Sequence, residues 1–574
     1  MPFPTRHRSI RTMPTRLPRH ARLHIAAAAT TVAVVLLAIL IAPTGASAAT
    51  RDPVVNAIVQ ARMKRVLTYA EYREARRDWV LAARAQRTAR NPSRRKVVAD
   101  ARKRVYGLAR TRQLTPDRIK PVMLGIKATT WTMLHGSFPK HEQEVTIPGE
   151  VVVFTYYYGS GVQFQPFETF KQGMRELNQA EPDVEAARKI ADRMLELKQD
   201  RGTSTTWEYF FPWGGPSRPW TSAISQALAT EFFWRVGQSV DESERAPYDD
   251  VTDRIARSFM RSTRFGGVGV PEGDGRYYVM YSFNPSQRIL NGHLQVLINL
   301  NRYAAGSGSP VARRVVDLGI KAVLPLLPRF DTGAWSNYQP GQEANLNYHE
   351  FQAGQLVKLG DETGDQTLAD YGARFTTYTE TPPTVTFPSS LYPAIFPAGD
   401  GFRDSIDVPL LLDKRAKVTL LVRDEDGDEV ARTSISSGRG ATKVTWDGTL
   451  TNGTRAPAGS YTGRLTATDI AGNRAFVDLE APLRVIADET PPVMRLLTMR
   501  ERRGTTIVTV NAFDMGSAWI VARIKVDGKV VAFARGPRAG TINLRTHRPL
   551  ATVKQGQLLL SDTSGNTFTY DLSS

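Results

Sequence analysis

Apolar positions along the chain follow two periods, one helical and one strand-like, with the change near Thr381. Between residues 53 and 115 they recur three and four apart in "VVNAIVQARMKRVLTYAEYREARRDWVLAARAQ" and "KVVADARKRVYGLAR". This predicts two helices, a hairpin over 53–120, with Asn91-Pro92-Ser93 as the turn between them. Residues 145–165 switch to β character, rich in Val, Phe and Tyr, with Gly159 and Gly161 as turn residues. From Glu168 to about Tyr378 the helical period returns in eight segments joined by Gly- and Pro-containing loops. Eight such helices suit pairs packed as a partial α/α-barrel, a toroid whose loops meet around a cleft at one end.

Beyond Thr381 the period becomes two, and the segments from "AKVTLLVRDEDGDEVARTSI" to "AFVDLEAPL" read as hairpins of a β-sandwich over 390–487. A second β unit follows over 488–574, because Ala467-Thr468-Asp469-Ile470-Ala471-Gly472-Asn473 is echoed by Leu560-Ser561-Asp562-Thr563-Ser564-Gly565-Asn566. The acidic run Asp424 to Glu429 is tempting as a calcium loop. Such a loop needs further oxygen ligands and a bidentate acid downstream, so the run reads as a hairpin turn and no metal site is expected. The fold class expected is multidomain α + β: a basic helical hairpin, a central α/α-toroid over 145–380 with short leading strands, and two immunoglobulin-like β-sandwich units.

Charge changes this picture at the front of the chain. Residues 1–120 hold 26 Lys+Arg against 6 Asp+Glu, leaving 49 and 50 for residues 121–574, so the formal net charge of +19 belongs to the N-terminal segment. Charge runs usually face water, and the hairpin reads as a solvated spacer, with attachment to an anionic wall polymer, membrane surface or polysaccharide as the functional alternative. Nucleic acid is not the expected partner, because no aromatic-interleaved basic groove accompanies the charge. Six arginines from Arg6 to Arg22, the uncharged run Ile25 to Ala42 and Ala46-Ser47-Ala48 predict a secretory signal peptide over 1–48, and hence a secreted or cell-surface protein. A membrane is expected as a partner only if that leader stays uncleaved. The chain has no cysteine, which excludes disulfides, thiolate catalysis and Cys-based metal sites.

Two resemblances to known families add to this. Trp446-Asp447-Gly448, Asn452-Gly453, Pro457-Ala458-Gly459-Ser460-Tyr461 and Ala471-Gly472-Asn473 resemble the immunoglobulin-like domain of flagellar hook-capping proteins, which implies an accessory or spacer role. Over residues 215–378, "PWTSAISQALATEFFWRV", "YSFNPSQRILNGHLQVLINL", "LPRFDTGAWSNYQP" and "NLNYHEFQAGQLVKL" resemble the C-terminal domain of D-glucuronyl C5-epimerases. The resemblance implies that Tyr338 and Tyr348 are catalytic tyrosines and that Tyr281 is the tyrosine of a third site element. The sequence departs from the family at three places: Met280 where an acid precedes the tyrosine, Gly341 where an Arg follows Tyr338, and Gln352 in place of a second His.

C5 epimerisation removes the proton beside the uronate carboxylate and returns one to the opposite face, which requires two acid/base groups and positive charge or donors to stabilise the enolate-like intermediate. A phenol near pKa 10 needs a neighbouring cation to act as a base at neutral pH. With Gly341 lacking the side chain, Arg288, Arg329 and His349 are the nearest candidates in sequence. The expected arrangement has Tyr338 and Tyr348 as the acid/base pair, Tyr281 and Asn291 on the sugar, Arg288 or His349 as the donor, and Trp207, Trp213 and Trp220 as stacking faces or as an aromatic plug. No cofactor is required. The expected partner is a uronate-containing polysaccharide or anionic cell-wall polymer. A lyase using the same proton abstraction and a non-catalytic glycan-binding protein remain the alternatives.

Overall fold

The computed structural model describes residues 52–216, 218–388 and 394–574, a mixture of helix and sheet. The expected leader over 1–48 lies outside the described residues. Among the described residues, no helix is long and apolar enough to cross a membrane.

The basic hairpin is replaced by four helices, Pro53–Met63, Tyr69–Thr88, Pro92–Arg110 and Ile119–Leu134. What reads as one long first helix breaks at Arg65, whose φ is 58°. It restarts at Thr68, whose hydroxyl accepts from the Glu71 N–H at 3.2 Å while Glu71 accepts from the Thr68 N–H at 2.7 Å. Nor is this segment a solvated spacer. Ile58, Trp79, Val98 and Val105 are buried in the same hydrophobic core as the later helices. Ile119–Leu134 is apolar nearly all round, so it shows no amphipathic stripe and serves as the buried element the others cover. Part of the positive charge is used internally: Arg94 donates to the carbonyls of Thr132 and Met133 at 3.1 and 3.0 Å, capping that helix.

All eight helical segments expected after residue 166 form, from Pro166–Leu177 to Gln366–Tyr378. Consecutive helices pack as pairs: Ala223–Ser239 with Glu242–Met260, Leu290–Ser307 with Pro310–Val323, and Leu346–Thr363 with Gln366–Tyr378. The first helix of each pair also packs on the first helix of the next, giving an inner row backed by an outer one. In the last pair the approach is set by glycine. A Cβ on Gly372 would meet the Val357 nitrogen at 2.6 Å, and one on Gly360 the Ala369 nitrogen at 2.6 Å.

The β half comprises two units with separate cores. In the first, strands alternate inward and outward, as Ile406–Leu412 and Ala416–Arg423 do, and bury Val408, Leu420, Val444 and Trp446. One sheet carries the order Glu429–Ser437, Ala416–Arg423, Gly459–Asp469, Arg474–Asp478. The second unit repeats that order with Lys529–Pro537, Trp519–Val526, Gln557–Ser561 and Thr567–Asp571. The run from Asp424 is the hairpin turn expected of it, the Asp428 N–H donating to Asp424 Oδ1 at 2.9 Å.

Lys414 joins the first sandwich to the helices. It is 1% exposed, and its ammonium donates to the Tyr378 carbonyl at 2.9 Å and to Asp469 Oδ2 at 3.1 Å, while lying 5.6 Å from the Trp335 ring centre. Asn473 Nδ2 adds a bond to the Thr379 carbonyl at 2.7 Å. Lys414→Ala strips Asp469 of its counter-charge and is expected to cost about 3–5 kcal/mol in chemical denaturation. The double change Lys414→Met with Asp469→Leu, which removes both charges, is expected to recover most of that loss.

Candidate active site

Short β-hairpins lead into the inner helices, and the candidate residues sit on two of them and on the helix starts that follow. Strands Gly269–Glu272 and Gly275–Tyr278 lead through Tyr281 to helix Leu290–Ser307. Strands Asn337–Gln339 and Gln342–Glu343 lead to helix Leu346–Thr363. The two connections are built alike. His293 Nδ1 accepts from the Tyr278 N–H at 3.0 Å, its Nε2 faces the Gly319 carbonyl at 3.0 Å, and its ring stacks on Tyr277 at 4.0 Å. His349 repeats the device: Nδ1 accepts from the Ser336 N–H at 3.2 Å, Nε2 faces the Phe375 carbonyl at 2.8 Å, and its ring stacks on Trp335 at 3.8 Å. Each imidazole therefore pins a hairpin to an outer helix, and the network assigns its proton to Nε2. Burial pushes both histidines down to about 4.

Counting from these histidines, Met280 and Gly292 of the first connection correspond to Tyr338 and Tyr348 of the second. Both pairs are in contact. A Cβ on Gly292 would meet Met280 Sδ at 2.5 Å, and the rings of Tyr338 and Tyr348 lie 4.8 Å apart at 49°. Met280, standing where the resembled family has an acid, is thus part of the packing in the first connection. Gln352, where that family has a second His, is fully buried and donates to Ser336 Oγ and, at 3.1 Å, to the Asn337 carbonyl. It steadies the strand that carries Tyr338. Gln287 Nε2 donates to Gln339 Oε1 at 2.8 Å, tying the Tyr281 loop to the Tyr338 hairpin. Ionising Tyr281 or Tyr348 would oppose the ionisation of Tyr338, and ionising Tyr348 that of Tyr281. Tyr338 and Tyr348 line a cleft of about 820 Å³ with Thr332, Glu343, Arg415 and Arg439.

Residues 199–377 match the family model described as D-glucuronyl C5-epimerase C-terminus, and residues 401–470 match that of the FlgD Ig-like domain. The chain carries both domains. Among curated proteins, the uncharacterised protein MJ1128 of Methanocaldococcus jannaschii is 22% identical over 183 residues, 31% of this chain and 58% of that relative. The chain thus spans little more than half of that protein's length. Among solved structures, the unsaturated glucuronyl hydrolase of Bacillus sp. GL1 matches 49% of this chain and 67% of its own, at 10% identity and a TM-score of 0.25. The β-glucuronidase of Parabacteroides merdae matches 41% and 28% at 11% identity and a TM-score of 0.13. Neither structural likeness bears on the chemistry.

Within the epimerase-type domain, several sequence-based assignments change. His349 is not a substrate-binding donor, because it is 0% exposed and both ring nitrogens are engaged. Arg288 is not a free cation beside the phenols: its Nε and Nη2 bind Glu272 at 2.8 and 2.6 Å, and it lies 5.0 Å from the Tyr277 ring centre. Trp220 stacks on Tyr209 at 4.2 Å and donates its indole N–H to the Phe211 carbonyl, so it backs Tyr281 at 5.6 Å and offers no open face to a sugar. Trp207 is fully buried and Trp213 is 36% exposed. Asn291 is 5% exposed with its Oδ1 unpaired and its carbonyl taken by Gln355, so it is buried in the helix packing and does not line the cleft. Arg329 contributes its main-chain carbonyl to Asn337 at 3.1 Å.

The cations that do line the cleft, Arg415 and Arg439, come from turns of the Ig-like domain. No local motif announced them. Burial raises Tyr338 to about 12, with Tyr281 and Tyr348 adding to the shift, and burial likewise raises Tyr281 against a hydrogen bond from Trp213. Both phenols are therefore neutral acids at neutral pH.

The buried histidines make stability pH-dependent. An unfolded imidazole takes up its proton near pH 6.5 and these near 4, so the stability each contributes is complete above 6.5 and falls by about 3 kcal/mol as pH drops toward 4. His349→Gln is expected to lower stability at pH 7.5 but to flatten the decline between those pH values by about half, measured by urea denaturation. An unchanged slope in the variant would overturn the structural role of His349.

Proposed function

We propose that this protein is an exported glycan-acting enzyme that inverts C5 of glucuronate residues in a polysaccharide, with Tyr338, Tyr348 and Tyr281 as its acid/base groups. The observation that carries the reading is the contact of Tyr338 with Tyr348 in a cleft lined by Arg415 and Arg439, with Tyr281 on a loop tied to the same hairpin, in a domain of epimerase type. In this reading the helix pairs form a partial α/α-barrel, the polymer lies across its hairpin end, and the Arg-rich start of the chain is a secretory leader.

The touching rings of Tyr338 and Tyr348 leave no room for a sugar between them. The two therefore serve one face of the pyranose, and Tyr281 serves the other. A tyrosine on one face, having released its own proton to solvent, takes the C5 proton, the freed electron pair delocalises into the adjacent carboxylate, and a neutral phenol on the opposite face returns a proton to C5. Arg415 and Arg439 hold that carboxylate and stabilise its second negative charge. They stand in for the side chain missing at Gly341.

A second reading has one observation in its favour. No cation is among the groups that shift Tyr338 from its ordinary range, which suits a glycan-binding domain without catalysis.

Incubation with glucuronate polymers such as heparosan in heavy water separates the readings. Deuterium uptake at C5 is expected, falling by about 10²–10⁴-fold in each of Tyr338→Phe, Tyr348→Phe and Tyr281→Phe. Unsaturated product absorbing in the near ultraviolet would make the protein a lyase. Binding without exchange would leave it a glycan-binding protein.

A further inference from the structure

The two β units repeat each other strand for strand, and they differ where it concerns charge. In the first, the Asn473 N–H donates to Asp469 Oδ1 at 2.9 Å, and Asn473 Nδ2 donates to Asp469 Oδ2 at 3.0 Å and to the Thr379 carbonyl of the preceding linker. The Lys414 ammonium completes that carboxylate. In the second, the Asn566 N–H donates to Asp562 Oδ1 at 2.8 Å, and Asn566 Nδ2 to Asp562 Oδ2 at 2.7 Å and to the Asp488 carbonyl of its own linker at 2.8 Å.

The place of Lys414, just beyond strand Ile406–Leu412, is taken by Asp514, just beyond strand Thr505–Phe513. Where the first unit buries an ammonium, the second gathers Asp488, Asp514 and Asp562, an oxygen of each lying within 4.8 Å of the others. Asp514 is 3% exposed and Asp562 7%. Asp514 Oδ1 accepts from the N–H groups of Gly516 and Ser517 at 2.9 and 2.8 Å, but its Oδ2, like that of Asp488, is buried with no partner. Arg538 reaches only the Asp514 main-chain carbonyl and lies 4.3 Å from the Phe402 ring centre. A Cβ on Gly516 would meet Asp488 Cγ at 2.3 Å, so glycine there is what admits the third carboxylate. Three clustered carboxylates, two of them with an orphaned buried oxygen, repel one another, and no ion pair joins them among the described residues.

We propose that Asp488, Asp514 and Asp562 bind a calcium ion, which stands in the second unit where the first has the Lys414 ammonium. The donor set is all oxygen, as calcium prefers, and the three carboxylates converge with an oxygen of each within 4.8 Å of the others. Asp400 Oδ2, at the entry of the first unit, accepts from the Ala518 N–H at 2.6 Å and from the Thr563 hydroxyl. The ion therefore sits among loops that also tie the second unit to the first. This inference is independent of the reading of the tyrosine cleft.

The test uses the full chain stripped of divalent ions with a chelator, titrated with calcium chloride by calorimetry and melted with and without it. Calcium binding and a rise in Tm are expected for the natural chain, with both lost in Asp514→Asn. Asp514→Lys, which installs the arrangement of the first unit, is expected to give a Tm that calcium does not move. No heat and no Tm shift in the natural chain, or a calcium response retained in Asp514→Lys, would overturn the proposal.

Discussion

A single buried ammonium ties the halves of this protein together. Lys414 sits in a turn of the Ig-like domain, yet it bonds the end of the last helix through the Tyr378 carbonyl and lies against Trp335, which itself stacks on His349. Removing a lysine from water is costly, and only the combination of Asp469 and helix-end carbonyls offsets it. The next residue is Arg415, which that clamp brings to the rim of the tyrosine cleft. A domain that resembles a spacer is thereby made one wall of the candidate site.

Repeated arrangements that differ at a few positions run through the molecule. Two hairpin-to-helix connections share a buried histidine with the same partners, while the adjoining pair is Met280 with Gly292 in one and Tyr338 with Tyr348 in the other. Two sandwiches share an aspartate–asparagine turn, while the neighbouring position is lysine in one and aspartate in the other. In each case the repeated contacts preserve backbone geometry, and the proposed chemistry falls on the positions that diverge.

The periodic parts were legible in sequence. The eight longer helices between residues 166 and 378 and the alternating strands follow from apolar spacing, because amphipathic elements carry their burial in their own pattern. The front helices misled for two reasons: a dense run of arginines masked the apolar positions that join the main core, and Ile119–Leu134 is too uniformly apolar to show a period. The three tyrosines are candidates through family resemblance; no periodicity or spacing would have singled them out. The fate of His349 was hidden because a histidine at a helix start reads the same whether it faces a sugar or bridges two backbone segments. Arg415 and Arg439 were invisible for a different reason: their relation to Tyr338 is set by domain docking, and no local pattern encodes it.

In the proposed function, Arg415 and Arg439 of the Ig-like domain supply the charge that recognises a uronate. The most direct measurement is calorimetric binding of a heparosan oligosaccharide and of its carboxyl-reduced counterpart, in which glucuronate has become glucose. The account predicts that the acidic ligand binds at least about tenfold more tightly, a charge-assisted contact being worth about 1.5–3 kcal/mol, and that this preference vanishes when Arg415 and Arg439 are both replaced by alanine. Equal affinity for the two ligands, or a preference that survives the double replacement, would contradict it.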